Sequence, residues 1–426
     1  MKPFAVVSPR HTVRILLVAI ALLIFSPCLQ AQEKTASAEK PKVRAITAFI
    51  NLERTQYKEQ VADALKMLKY ARTVYESRGY EVQTIRIATQ PFPQYTKGLT
   101  TEQAVAFFKE YDALATKEKF NASIGPAMLD AGDSEAQADL LSEILRNTKV
   151  LNASLVVAGD DGVRWAAVGA AAQVIKKLEE TTEHSQGNFH FAAIAMVPPL
   201  TPFFPAAYHT GFGHQFAIAL QSANVVAAAF KDNADLATAK QRLTDSLAQE
   251  AFAIQTLAER VDRDMGWSYV GIDLSPAPLK DVSIGAAIEN LTAQPVGTSG
   301  TLTAAATITA AIKDVHVKQT GYSGLMLPIQ EDTRLAQRWN EGHISLDALL
   351  SYSAVCGTGL DTIPLPGDIS VDQLSLIIGD MASLAYKWHK PLSARLLPVA
   401  GKTPGELTEF DDPNLVNATI KPIGRD

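Results

Sequence analysis

The sequence predicts an α/β protein in which helices cover a mainly parallel β-sheet. Segments rich in β-formers alternate along the chain with segments of helical periodicity. Several of the strand segments, 189–197 above all, are apolar on both faces, as expected for strands covered by helices. No Gly/Ser/Pro-rich linker divides the chain after Pro41, so we expect one large domain over 43–426. Periodicity leaves open whether the sheet is an open doubly wound sheet or a closed barrel, and either places a ligand site beyond the strand carboxyl ends.

The individual elements follow from local patterns of apolar residues and capping signals. Strands are predicted at 43–50, 81–88, 120–124, 153–158, 189–197, 268–273 and 395–399. Helices are predicted at 57–78, from the capping box at 100–103, from 134–137, at 164–178, 214–230, 234–264, 283–291 and 301–312, after Glu331 and Ser345, and from the box at 370–373 to about 388.

The first 31 residues are predicted to be a cleavable export signal. Three basic residues precede an apolar run, Ile15–Phe25, that is shorter than the roughly 18–20 residues a membrane-spanning helix needs. We expect cleavage near Ala31, a mobile polar linker over 32–42, and a periplasmic or secreted protein without stable membrane insertion after cleavage.

Charge and cysteine content exclude several classes of protein. Without the leader, 36 basic residues stand against 45 acidic ones, and no Lys/Arg cluster suits nucleic acid or an anionic membrane. Cys356 is then the single cysteine, so no intramolecular disulfide is expected. The eight histidines are scattered, and no pattern typical of a metal or cofactor site occurs, so neither is predicted.

The stretch 356–368 (CGTGLDTIPLPGD) is predicted to be a site-forming loop because it has no regular apolar period. Cys356 is a candidate nucleophile if a nearby cation lowers the pKa of its thiol. A buried, inert cysteine is the alternative, and we favour it. Asp361 is a candidate acid–base group, and the remaining candidates in this loop are ligand contacts: Gly357, Gly359 and Asp368.

Two further loops follow predicted strands and carry candidate site residues. The proline-stiffened segment 197–209 presents Tyr208 as a ligand contact and His209 as an acid–base group or ligand. The alternative is an aromatic plug that closes one end of the sheet. The segment 271–278 presents Asp273 as a candidate base and Ser275 as a ligand contact, although Asp273 also suits a simple turn cap.

Long motifs resemble one family across most of the chain. They are the proline loop VPPLTPFFPAAYH, the segment GIDLSPAP, the glycine-containing GYSGLMLP, the stretch YSAVCGTGLDTIPLPGD and the C-terminal KPLSARLLPV. The chain is identified from these as a member of the domain of unknown function 711 family, which is related to proteins labelled PFL-like. The resemblance covers 43–426.

The resemblance implies a fold similar to pyruvate formate-lyase and other glycyl-radical enzymes. That fold is an α/β barrel of about ten strands with a loop entering its middle, and a fold by itself does not carry a reaction. In those enzymes the loop bears a cysteine, and the resemblance implies a similar position for Cys356. The glycyl motif of the Arg-Val-x-Gly-Tyr type is not found in this sequence, so the radical mechanism is not expected to carry over.

Two functions remain open at this stage. The first is an enzyme-like protein that binds a small, anionic molecule at a barrel mouth, with Arg86 and Arg395 as anion contacts. The second is a non-catalytic exported binding or scaffold protein, a homo-oligomer whose interface is formed by the Ala-rich helical segments 225–230 and 234–258.

Overall fold

A computed structural model describes residues 40–232 and 235–423, which belong to one compact unit. The export signal at 1–31 and all but the last three residues of the predicted linker lie outside the described residues. The first strand already begins at Lys42.

Ten strands of the described residues form a single sheet. They are β1 Lys42–Ile50, β2 Val82–Thr89, β3 Asn121–Ala127, β4 Leu151–Gly159, β5 Gly162–Val163, β6 Phe191–Ala195, β7 Gln215–Gln221, β8 Ser268–Asp273, β9 Gly359–Pro366 and β10 Leu392–Val399.

Twelve α-helices lie in the described residues. They are α1 Tyr57–Glu76, α2 Phe92–Thr96, α3 Thr101–Glu118, α4 Ala136–Arg146, α5 Trp165–Thr181, α6 Ala223–Ala229, α7 Leu236–Met265, α8 Ile284–Thr292, α9 Thr301–Lys313, α10 Thr333–Asn340, α11 Leu346–Ser353 and α12 Val371–Trp388. A 3-10 helix, Glu183–His190, leads into β6.

Capping chemistry accounts for where two of these helices begin. Thr100 and Gln103 form a reciprocal capping box at the start of α3, and Ser370 and Gln373 form another at the start of α12. Both boxes were predicted, because a Ser/Thr followed three residues later by Gln satisfies two free N–H groups of the first turn.

The sheet has two halves of opposite direction. Strands β1, β2, β3, β4 and β6 are parallel to one another. Strands β7 and β8 are parallel to each other but antiparallel to β1, and β9 and β10 are parallel to each other with β10 antiparallel to β6. The α/β class and the mainly parallel sheet are therefore confirmed.

The two edge strands, β8 and β9, are not paired with each other within the described residues. A bridging segment, 319–328, lies between them instead: Gln319 pairs with Ile272 of β8, and Pro328 pairs with Asp361 of β9, both in parallel. The sheet thus meets the expected ten-stranded architecture without direct pairing between its two edges.

Two predicted elements were wrong. The predicted helix 214–230 contains β7, which is paired on both sides and leaves only the short helix α6. The predicted loop 356–368 contains β9, which pairs with β10. In both cases pairing within the sheet outweighs a weak local preference.

Apolar side chains pack in two layers. The main core lies between the sheet and its helices, and it includes the inward face of α7, where Ala239, Ala251 and Ala258 are buried against this chain itself. A smaller apolar cluster on the other face of the sheet includes Ile194, Phe203, Tyr322 and Met326. This second cluster borders the polar cavity described below.

Candidate functional site

A cavity of about 140 Å³ is lined by residues from seven strands of the one sheet. Since β1–β4, β6, β9 and β10 all reach the same cavity, the sheet must curve around it. The lining residues on β2, β3 and β4 lie near the amino ends of those strands: Thr84, Asn121 and Asn152. The cavity is thus at the end opposite to the one that the fold class favours for a ligand site.

The proline loop that follows β6 crosses the interior of the sheet. Hydroxyl groups of Thr47 and Ser123 donate hydrogen bonds to the loop carbonyls of Pro202 and Ala207, at 2.9 and 2.7 Å. The loop tip, Phe203–Pro205, then forms an apolar wall of the cavity. The loop that enters the middle is therefore this one, whereas the resemblance had suggested the segment with Cys356.

Irregularities in the strands aim two charged side chains into the cavity. Strand β1 shifts its register against β7 between Val43 and Ala45, so Arg44 is the extra residue of a bulge. A similar shift between β9 and β10 places two residues of β9, Asp361 and Thr362, opposite the single residue Arg395 of β10. Bulges commonly re-aim side chains next to functional sites.

Four of the cavity's charged residues form a chain of ion pairs. The Arg395 guanidinium contacts the Glu331 carboxylate through Nη2 and donates from Nε to Asp361 Oδ1 at 2.7 Å. Arg44 Nη2 lies 3.6 Å from the second Glu331 oxygen. Although burial opposes it, the two carboxylates raise the pKa of Arg395. Arg395 is thus held in place with its charge already neutralised.

Arg86 differs from Arg395 in having no carboxylate partner. Within the described chain no acidic oxygen lies within 4.0 Å of its guanidinium, and its side-chain contacts are Thr84 Oγ1, 3.0 Å from Nε, and the ring of Phe204, 4.8 Å away. The side chain is 7% exposed. Burial, reinforced by the neighbouring Arg44 charge, lowers the pKa of Arg86 to about 9. It remains a cation at neutral pH, and in the described chain it is the cavity arginine without a carboxylate oxygen within 4.0 Å.

The side chains of His190 and Thr358 complete the polar wall of the cavity. His190 Nδ1 lies 3.4 Å from Asn152 Oδ1, and burial lowers the pKa of His190, so the ring is neutral at pH 7. The Thr358 hydroxyl is buried, lines the cavity and has no hydrogen-bond partner in the part of the chain that the structure describes. A buried polar atom without a partner calls for an explanation, and a ligand group is one.

Three of the residues proposed from sequence meet at this cavity, and the others lie elsewhere. Arg86, Arg395 and Asp361 line it.

Asp273 is buried and accepts hydrogen bonds from Tyr322 N, Ser323 N and the Ser275 hydroxyl at 2.8, 3.0 and 2.6 Å, so it holds the bridging segment in place. Burial raises the pKa of Asp273 against these hydrogen bonds.

The proposed residues of the proline loop hold the base of that loop. His209 lies between Asn51 Oδ1 and Gln215 Oε1, at 2.9 and 2.6 Å, and burial lowers its pKa. Tyr208 donates its phenol hydrogen to Val197 O at 3.0 Å. Neither residue lines the cavity.

The segment around Cys356 contributes packing. Cys356 is 1% exposed and belongs to the main apolar core. A Cβ on Gly357 would lie 2.6 Å from the Gly324 backbone, and one on Gly359 would lie 2.4 Å from Ser393 O. Asp368 is exposed after β9. Of this segment, Thr358 and Asp361 reach the cavity.

Sequence reasoning missed Arg44, Asn152, His190, Thr358 and Asp412 as cavity residues. One signal was present. Two strands place polar side chains two residues apart: Thr84 and Arg86 on β2, and Ser393 and Arg395 on β10. That spacing marks one polar face in a buried strand.

No group of three or more His, Cys, Asp or Glu side chains suited to a metal ion occurs in 40–232 or 235–423. Helices in these same ranges are too short or too polar to span a membrane.

The fold and the cavity define a class: an α/β protein whose curved sheet surrounds a buried site of mixed charge. The chain belongs to the family described as Uncharacterised ACR (DUF711), whose model matches residues 35–413. The relatives include the UPF0210 protein of Pyrobaculum islandicum, 35% identical over 374 residues that cover 83% of this chain and 81% of the relative. The UPF0210 protein of Acetivibrio thermocellus is 27% identical over 369 residues, covering 82% of this chain and 80% of that relative.

Among solved structures, the anaerobic ribonucleotide reductase of Thermotoga maritima in complex with dATP and CTP matches with a TM-score of 0.40 and 8% identity. The match covers 83% of this chain and 75% of the reductase chain. A likeness at this level carries no argument about activity.

Proposed function

We propose that this protein binds a small molecule with an anionic group in the interior cavity, and that Arg86 holds that group. The observation that carries the proposal is the buried guanidinium of Arg86, which has no carboxylate partner among residues 40–232 and 235–423. A buried unpaired charge costs several kcal/mol, and such a cost is commonly retained where a ligand supplies the missing partner.

The size and lining of the cavity support a small ligand. A cavity of about 140 Å³ is close to the roughly 150 Å³ that accommodates benzene in an engineered protein core. Its walls are apolar at Phe203, Phe204 and Met326 and polar on the strands. Apolar walls with a few placed polar groups are typical of small-molecule sites.

We further propose that the site is enzyme-like, with the reaction unassigned. His190 is the cavity group suited to moving a proton, because it is neutral at pH 7 and its Nε2 has no protein partner among the described residues. A radical step through Cys356 is not part of the proposal, since the thiol is buried in the main core away from the cavity.

A thermal-shift assay with small carboxylates and phosphates tests the binding proposal. A ligand at a hundred times its Kd stabilises the fold by about 2.7 kcal/mol. Stabilisation should disappear in Arg86→Gln and persist in Arg54→Gln, whose arginine is exposed and lies outside the cavity. Equal responses of the two variants would refute a role of Arg86 in binding, and silence across the panel would favour a scaffold.

Export to the periplasm or the medium is a separate proposal, supported by the basic residues and the apolar run Ile15–Phe25. Cell fractionation with mass analysis of the amino terminus tests it. A terminus at Gln32 in the exported fraction is the expected result. Intact protein confined to the cytoplasm would refute it.

A further inference from the structure

Most charged side chains of the cavity lie close to a side chain of opposite charge, and one cation and one anion do not. Arg44 and Arg395 on one side, and Glu331 and Asp361 on the other, form the network described above and cancel. His190 is neutral because burial lowers its pKa. Two further ionised groups line the cavity: Arg86 and Asp412.

Asp412 is a partly exposed acid that has no cationic partner among the described residues. Its Oδ1 accepts hydrogen bonds from Asn414 N and Asn414 Nδ2, at 2.8 and 3.0 Å. No Lys, Arg or His nitrogen of the described chain lies within 4.0 Å of it, and Oδ2 accepts no hydrogen bond there. Its charge nevertheless reaches the cavity, because it works against the burial that lowers the pKa values of Arg44 and His190.

A buried cation and a partly exposed anion, neither with an ion-pair partner in the described chain, therefore line the same small cavity, and the charges that line it sum to zero. A ligand that carries both charges satisfies both groups and leaves the total unchanged. A dicarboxylate would add two negative charges beside three carboxylates, and a simple amine would leave Arg86 unpaired. Uncompensated charge is costly at a buried group such as Arg86. Asp412 is partly exposed, so an ammonium group that pairs with it adds to ligand binding and is not required by the fold.

We propose that the ligand is a small zwitterion of the α-amino acid class. Its carboxylate binds Arg86 and its ammonium group binds Asp412. This inference rests on the proposed function and adds the second charge. The hydroxyl of Thr358, a residue that is 3% exposed, has no partner among the described residues and supplies a hydrogen-bonding group for a polar side chain.

The volume restricts the side chain. Alanine and serine have about as many non-hydrogen atoms as the benzene that fills a cavity of roughly 150 Å³. This cavity is about 140 Å³, so small amino acids fit, and serine has the hydroxyl that Thr358 can contact.

Isothermal titration with four probes separates the charges: L-serine, L-alanine, propionate, which lacks the ammonium group, and ethylamine, which lacks the carboxylate. We expect L-serine or L-alanine to bind at least tenfold more tightly than either single-charge analogue. Asp412→Asn should weaken amino-acid binding at least tenfold and leave propionate unaffected. The control is Asp411→Asn, which alters an adjacent exposed acid bonded to Gln186 and should bind as the wild type does.

The outcomes distinguish this inference from the binding proposal. If propionate binds as tightly as L-alanine, and Asp412→Asn changes neither, the zwitterion is refuted while the anion site at Arg86 stands. If no probe binds and the carboxylate and phosphate panel also gives no Arg86-dependent response, both are refuted. If the amino acids fail while that panel succeeds, the zwitterion alone is refuted.

Discussion

Replacing Arg86 by glutamine should make the ligand-free protein more stable, which is unusual for a change at a buried residue. Burial and the Arg44 charge lower the pKa of Arg86 from its ordinary value of 12.5 to about 9. At 1.36 kcal/mol per pKa unit, this difference corresponds to roughly 5 kcal/mol by which folding disfavours the charged form. That figure is an upper bound, because water in the cavity still solvates the guanidinium.

The loss of two favourable contacts reduces this stabilisation. Arg86→Gln removes a cation–π contact with Phe204, worth about 1–2 kcal/mol, and a hydrogen bond to Thr84, worth about 1 kcal/mol. The net expectation is a stabilisation of about 2 kcal/mol. With an unfolding entropy of roughly 2.1 cal/mol/K per residue, Tm should rise by about 2–3 °C for a chain of this size.

The difference in unfolding free energy between Arg86→Gln and the wild type should also depend on pH. Because the native state holds the Arg86 proton less tightly than the unfolded state does, the wild type is stabilised as pH rises above about 9. The extra stability of Arg86→Gln relative to the wild type, measured by chemical denaturation, should therefore decrease between pH 9 and pH 11.

Denaturation of dialysed protein at pH 7 and pH 10 measures both effects, with Arg54→Gln as the exposed control. A variant that is less stable than the wild type by more than about 1 kcal/mol at pH 7 would refute the reasoning. Such a result would mean that Arg86 supports the fold itself, and that its lack of a carboxylate partner gives no reason to expect a ligand.

Four further expectations follow from the structure. Arg395→Gln should destabilise the fold by about 3–5 kcal/mol in denaturant titrations, because it leaves Asp361 without its cation and the buried Glu331 with Arg44 alone; a neutral result would contradict the network. Gly357→Ala should destabilise the fold by more than about 2 kcal/mol, because the new Cβ clashes with the Gly324 backbone. Its control, Gly169→Ala, lies in a helix with open space around the new Cβ and should stabilise the fold by about 0.5–1 kcal/mol. Cys356, in protein beginning at Gln32, should react with a thiol reagent only as fast as the fold opens, so rapid labelling of native protein would show that the thiol is accessible. Burial lowers the pKa of His190, so the native state binds fewer protons than the unfolded state, and stability should be lost as pH falls below 6.5, less steeply in His190→Gln.

The sequence by itself determined the elements whose signals are local. The capping boxes of α3 and α12, the apolar strand β6 and the strand β8 (Ser268–Asp273) all agree with prediction, because caps and periodicity depend on residues within one or two turns. The α/β class follows from the order of such elements. Strands β7 and β9 could not be found in this way, since their pairing involves residues far away in the chain.

Tertiary structure alone decided which candidate residues meet. Arg86 and Arg395 have the same side chain and both lie on strands, yet Arg395 is paired with two carboxylates while Arg86 has none. Asp273 and Cys356, prominent in the sequence, hold or fill the structure beside the cavity, whereas Asp412 reaches it from the C-terminal segment. Sequence motifs record which residues occur together, but charge pairing depends on distances that arise only once the sheet has curved around its interior.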